Sequence, residues 1–128
     1  MKAPAPIAET LLEFAGLDAE RLQTLDPDDL ESRLQLAMLV WNAVLLAGEE
    51  ERLAEEDDRD PDAAFDAVID NLVVDLFTSL GSASEALEQV VRYLVVRKLE
   101  DYGDDRRGIA ELHLDDKLGR RHLTVVSF

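Results

Sequence analysis

The chain has 128 residues, no cysteine and a formal net charge of −16. This length predicts one domain, and an apolar content of 47% is enough to build a hydrophobic core. The lack of cysteine excludes disulfides, thiolate metal sites and cysteine nucleophiles. So negative a charge argues against a protein that binds phosphate backbones or anionic lipid.

The first residues and the apolar segments predict a cytoplasmic protein without a membrane segment. Residues 1–6 lack the apolar core of a signal peptide. The longest apolar run, Leu36–Ala47, is interrupted by Asn42 and is shorter than the roughly 20 residues of a membrane-spanning helix.

Two helices are predicted in the first part of the chain. The first covers about residues 7–16 and stops at Gly16, and Asp18 starts one or two further turns through Leu22. The sequence Asp-Pro-Asp at residues 26–28 then marks a helix start, because aspartate caps a backbone N–H and proline fits the first turn. This second helix is predicted over about residues 27–50.

Two more helices follow with a clear 3.6-residue period. The start signal Asp-Pro-Asp recurs at residues 60–62, and apolar residues at helical spacing predict a helix over residues 61–80. A capping box of Ser82 and Glu85 predicts another helix over about residues 83–102. Short connections between helices favour antiparallel neighbours.

The last residues change to an alternating pattern, which predicts a β-hairpin over about residues 109–127. A four-residue loop would place Leu112 opposite Leu123 and His113 opposite His122. The expected fold is therefore mainly α: a single domain, residues 1–128, with a small antiparallel bundle of three long helices and a short N-terminal helix, followed by the hairpin. Such a two-stranded ribbon is marginal alone and has to pack on the bundle or pair with another strand.

The helices carry more apolar surface than a small bundle covers. The residues that we expect to contact a partner are Trp41, Val74, Tyr93 and Val96. Either the second helix is simply central in the bundle, or the chain forms a homodimer that buries these second faces or joins two hairpins edge to edge. We favour the homodimer.

The acidic residues lie mainly in the first two thirds of the chain. Residues 1–80 have 20 acidic and 5 basic residues, whereas residues 81–128 have 9 acidic and 8 basic ones. The segment Glu49–Asp62 alone has nine acidic side chains against two arginines. This segment is expected to attract a basic protein partner.

Two arrangements suggest metal chemistry. Carboxylates at helical spacing on facing helices could hold Mg²⁺ or Mn²⁺, and the candidates are Glu51, Glu55, Asp62, Asp66 and Asp70. The histidine pair across the hairpin could bind a transition metal. The alternative for both is a solvated face, and no cofactor is predicted.

The preferred hypothesis is a small, acidic, non-catalytic interaction or regulatory protein that forms homodimers. One alternative is a divalent-metal-dependent, all-α hydrolase that uses the helix carboxylates. Another is a nucleic-acid binder resembling a winged helix, although the net charge disfavours it. Its basic residues would be Arg92, Arg97, Lys98, Arg106, Arg107, Lys117, Arg120 and Arg121.

Overall fold

The computed structural model describes residues 6–80 and 85–127, and it confirms a mainly α fold with a C-terminal hairpin. The elements are α1 (Ile7–Phe14), α2 (Ala19–Thr24), α3 (Pro27–Glu56), α4 (Pro61–Leu80), α5 (Glu85–Asp101), β1 (Ile109–Lys117) and β2 (Arg120–Ser127). Three long helices are present, as predicted. The turns predicted after Asp18 form the separate short helix α2, which Asp18 caps by accepting the Arg21 N–H at 2.8 Å.

The starts of α3 and α4 have the predicted chemistry. The Asp26 carboxylate accepts the Asp28 N–H at 2.9 Å, and the Asp60 carboxylate accepts the Asp62 N–H at 3.0 Å. Each aspartate therefore satisfies a donor that the helix leaves open. The predicted capping box at Ser82 lies outside the described residues.

Helix α3 continues six residues beyond the predicted end at residue 50. The Arg52 guanidinium lies between Glu49, three residues before it, and Glu56, four residues after it, where it donates at 2.8 Å. Ion pairs at this spacing support a helix through its charged segment. The helix ends before Asp58, whose φ of 55° is not helical.

The hairpin forms, but its predicted register is wrong by two residues. Leu112 lies opposite Val125, and Leu114 lies opposite Leu123. The connection contains only Leu118 and Gly119, with φ angles of 54° and 78°, which is the arrangement of a type I′ hairpin turn. From Glu111 to Lys117 this slip of two residues keeps each side chain on its own face of the ribbon, and the register shifts again between Ile109 and Glu111.

The chain divides into two compact units, so the expectation of a single domain stays a prediction. Unit 1 combines residues 1–39 and 107–128, and unit 2 is the continuous segment Val40–Arg106. In unit 1, β2 packs against α1 and α2. Its buried apolar side chains are Ile7, Leu11, Phe14, Leu17, Leu30, Leu34, Ala37 and Ile109.

Arg121 connects β2 to α2 in unit 1. The Gln23 side-chain amide donates to the Arg121 carbonyl and accepts the Arg121 N–H, both at 2.8 Å. The Arg121 guanidinium also donates to the carbonyls of Leu22 and Leu25. Arg121 therefore has a structural role in unit 1, because it satisfies backbone carbonyls at the end of α2.

Unit 2 contains the second half of α3 together with α4 and α5. Its buried apolar side chains are Val40, Trp41, Val44, Ala47, Ala54, Ile69, Val73, Val91, Leu94 and Val95. They recur at three- and four-residue spacing on each helix, as expected for helices that pack side by side.

Helix α3 has the length and composition of a membrane-spanning helix, with a mean hydropathy of 1.2 over 18 residues. The central helix of a soluble protein has the same properties, and 39% of that window is buried in this structure. The cytoplasmic location therefore stays a prediction.

Candidate interaction site

Helices α4 and α5 run antiparallel in unit 2. The Arg92 guanidinium donates to Asp70 at 3.0 Å, and Asp66, one turn earlier on α4, lines the same groove as Leu99, two turns later on α5. The hydrogen bond to Asp70 is the main cause that raises the pKa of Arg92 above its ordinary value. Because both side chains are about half exposed, the ion pair orients the helices more than it stabilises them.

An apolar ridge lies on the solvent side of α4 and α5, and we define it as Val74, Val90, Tyr93 and Val96. Val74 follows Asp70 by one turn, and Val96 follows Arg92 by one turn, so they flank the ion pair. The exposed fractions are 59% for Val74, 62% for Tyr93 and 50% for Val96. Three of the four predicted partner residues are therefore exposed on these two helices.

Trp41, the fourth predicted partner residue, is not on that surface. Its side chain has no exposed area, and its ring centre lies 5.7 Å from that of Tyr102. The prediction is corrected: in this structure Trp41 belongs to the core of unit 2.

Lys98 is the residue that the sequence pattern missed. It is 2% exposed, and its ammonium group lies 3.8 Å from the centre of the Trp41 ring. The same group donates to the carbonyls of Tyr102, at 2.7 Å, and Asp105, at 2.6 Å. A buried ammonium needs such partners, and here it holds the chain that follows α5 against the core.

A groove of about 760 Å³ opens on unit 2 between the C-terminal half of α3, the start of α4 and the end of α5. Apolar side chains line part of it: Val44, Leu45, Phe65 and Leu99. Gly48 leaves one wall without a side chain, and a Cβ placed there would meet nothing within 4 Å. We call this space the acidic groove because four carboxylates also line it: Glu49, Glu51, Asp62 and Asp66.

Three cations also line the acidic groove: Arg52, Lys98 and the exposed Arg106. Two of them are already engaged. Arg52 pairs with Glu49 and Glu56, and Lys98 is directed at backbone carbonyls. The hydrogen bond from Arg52, its charge and then that of Arg106 lower the pKa of Glu49. Within residues 6–80 and 85–127, by contrast, no cation lies within ion-pair distance of the carboxylates of Glu51, Asp62 and Asp66.

The predicted metal ligands do not assemble into a cluster. Glu51, Asp62 and Asp66 line the acidic groove, Glu55 is exposed elsewhere on α3, and Asp70 is paired with Arg92. In the part of the chain that the structure describes, no group of three or more His, Asp or Glu residues could hold a metal ion. This arrangement gives no support to the metal-dependent hydrolase.

The predicted histidine pair is wrong because of the changed register. His113 lies opposite Thr124, and His122 lies opposite Asp115. The His113 ring instead contacts Glu111, with 3.2 Å between Nε2 and Oε2. The two imidazoles therefore do not face each other across the hairpin.

Several basic residues of the nucleic-acid hypothesis have structural roles. Lys98 is buried, Arg92 pairs with Asp70, and Arg121 bonds to backbone carbonyls. Arg107 donates to the Thr10 hydroxyl at 3.3 Å. These side chains are engaged within their own units, which weakens the argument for a basic nucleic-acid surface.

The surfaces described above are the apolar ridge and the acidic groove of unit 2. The ridge offers apolar area and the groove offers charge, and both are properties of surfaces that bind other molecules. Neither surface assembles a metal site among the residues described. Comparison with known protein families, with curated proteins and with solved structures finds no match to this chain.

Proposed function

We propose that this chain is a non-catalytic interaction protein that acts as a homodimer, formed through the apolar ridge. The observation that carries the proposal is that α5 is apolar on two faces. Val91, Leu94 and Val95 are buried inside unit 2, while Tyr93 and Val96 are at least half exposed. A helix with two apolar faces is typical of a helix with a second packing partner.

A second copy of the chain can pack against this ridge because the charged residues beside the ridge have both signs. Asp70, Arg92 and Glu88 form a small network beside it, with Arg92 at 3.0 Å from Asp70 and 3.3 Å from Glu88. A two-fold symmetric interface places a patch against itself, so a patch with both signs of charge can complement its own copy. Each ridge side chain covered in this way contributes apolar burial.

Sedimentation equilibrium tests the proposal. The wild type is expected to sediment at twice the monomer mass of 14.3 kDa, and Tyr93→Glu together with Val96→Glu is expected to sediment as the monomer. Leu118→Glu is the matched control, because Leu118 is a fully exposed apolar residue in the hairpin turn. Salt is expected to strengthen the dimer, since it screens the repulsion between two chains of charge −16.

Two results would contradict the homodimer. One is a wild type that stays monomeric at about 100 μM, well above the dissociation constants of stable interfaces. The other is a Leu118→Glu variant that dissociates as readily as the ridge variant.

A further inference from the structure

The acidic groove combines an apolar lining with negative charge at its rim. Phe65 and Leu99 are partly exposed within it and provide contact area for an apolar side chain. Its volume of about 760 Å³ falls within the range of roughly 300–1,000 Å³ that ligand clefts occupy. The groove is therefore large enough to receive side chains from another molecule.

The charges decide which molecule fits. The groove lining has four carboxylates and three cations, and two of the cations, Arg52 and Lys98, are engaged elsewhere. The exposed Arg106 is therefore outnumbered by three carboxylates that have no cation within ion-pair distance among the described residues, those of Glu51, Asp62 and Asp66. They belong to or adjoin the segment Glu49–Asp62, with nine acidic residues against two arginines. Anionic ligands, nucleic acids included, are repelled by this rim, whereas Lys and Arg side chains are attracted.

Most of the groove wall is formed by helices, and the segment after α5 completes it with Gly103 and Arg106. Such a wall favours a helical occupant. An amphipathic helix binds a groove through apolar side chains at i, i+3, i+4 and i+7 spacing, with its polar residues at the rim. Lys and Arg residues on the polar face of such a helix would lie next to the carboxylates of Glu51, Asp62 and Asp66. Gly48 leaves space on the α3 wall for a close approach.

From this geometry we propose that the acidic groove of unit 2 binds a cationic amphipathic helix of another protein. The apolar residues of that helix enter the groove beside Phe65 and Leu99, and its Lys or Arg residues pair with the rim carboxylates. The proposal rests on the proposed interaction role of the chain, but it uses a different surface from the apolar ridge and does not need the dimer.

Fluorescence anisotropy with a model peptide tests this binding on the full chain. The probe is a fluorescein-labelled Lys/Leu peptide of about 16 residues, long enough to form a helix when bound, with its leucines on one helical face. One control peptide has the same composition with the leucines scattered around the helix, and another has Glu in place of Lys. Only the cationic, one-faced peptide is expected to bind.

Substitutions in the groove separate specific binding from general attraction by an acidic protein. Gly48→Phe places a ring in the open space and is expected to weaken binding about tenfold or more, equal to about 1.4 kcal/mol, whereas Gly48→Ala keeps binding. Asp62→Asn with Asp66→Asn is expected to weaken binding about three- to tenfold at low salt, and less at high salt. Asp75→Asn, on α4 but outside the groove, is the matched control and is expected to bind normally.

Circular dichroism confirms that each variant is folded. The proposal is overturned if the scattered-leucine or the Glu peptide binds as tightly as the cationic one-faced peptide, or if Gly48→Phe leaves the dissociation constant unchanged. It is also overturned if a wild type that sediments as a dimer binds none of the peptides, and in that case the proposed function stands. A monomeric wild type that binds the cationic peptide contradicts the dimer and leaves the groove proposal intact.

Discussion

Replacing Lys98 with methionine tests whether a buried ammonium group stabilises unit 2. In the structure this group contacts the carbonyls of Tyr102 and Asp105 at 2.7 and 2.6 Å, and the face of Trp41 at 3.8 Å. Methionine is also a long, unbranched side chain, but it donates no hydrogen bond. Both carbonyls therefore lose a charged donor, and Trp41 loses its cation.

The size of the effect follows from these three contacts. A hydrogen bond to a charged group contributes about 1.5–3 kcal/mol, and a desolvated cation–π contact contributes about 2 kcal/mol. Against them stands the several kcal/mol that it costs to bury an ammonium group. We expect the free energy of unfolding to fall by about 2–4 kcal/mol, a large part of the ~5–15 kcal/mol of an ordinary domain.

Urea denaturation followed by tryptophan fluorescence measures this difference. Trp41 is the only tryptophan and lies against Lys98, so its emission reports on the affected part of unit 2. With a slope of about 2 kcal/mol per molar urea, the midpoint should fall by about 1–2 M. Lys117→Met, at an exposed lysine of β1, is the control and should change stability by less than about 0.5 kcal/mol.

A Lys98→Met variant as stable as the wild type would refute the reasoning. It would mean that desolvation of the ammonium group cancels its contacts, as happens when some buried charges are replaced by apolar side chains.

Four further predictions concern three backbone positions and one ion pair. Gly48→Ala should raise the free energy of unfolding by about 0.5–1 kcal/mol, because alanine favours the helix and meets open space; Gly103→Ala should lower it in the same urea titration, because its Cβ would lie 2.6 Å from a backbone oxygen. Leu118→Asn should stabilise the hairpin by about 1 kcal/mol, since asparagine tolerates the φ of 54° better, and hydrogen exchange of β1 and β2 amides measures the change. Carboxyl NMR should show that Glu49 titrates below its ordinary pKa and that the pKa returns towards the ordinary value in Arg52→Gln. Any stability that this ion pair contributes is therefore present at neutral pH and is lost as the pH falls through the lowered pKa.

Helix starts could be predicted from the sequence because their causes are local. Asp26 and Asp60 cap α3 and α4 with their own carboxylates, and the residues involved are neighbours along the chain. The end of α3 was harder to predict. The acidic segment carries no end signal of its own, and the helix continues through it because Arg52 pairs with Glu49 and Glu56 on both sides.

The residues that the sequence misplaced depend on tertiary contacts. The hairpin register follows from Leu118 in a left-handed conformation, which its side chain gives no reason to expect. A lysine on a helix is expected in solvent, and only the position of Trp41 and of the carbonyls after α5 explains the burial of Lys98. The exposure of Tyr93 and Val96, by contrast, could be predicted from the second apolar face of α5.

The two hydrogen bonds between Gln23 and Arg121 have a consequence for the order of folding. They join positions 98 residues apart, and the whole of unit 2 lies between them in the chain. Bringing the ends of so long a flexible loop together costs conformational entropy, and this cost falls if the intervening segment is already compact. We therefore expect unit 2 to fold first on the ribosome, and unit 1 to be completed only after β2, which follows unit 2 in the chain, has emerged.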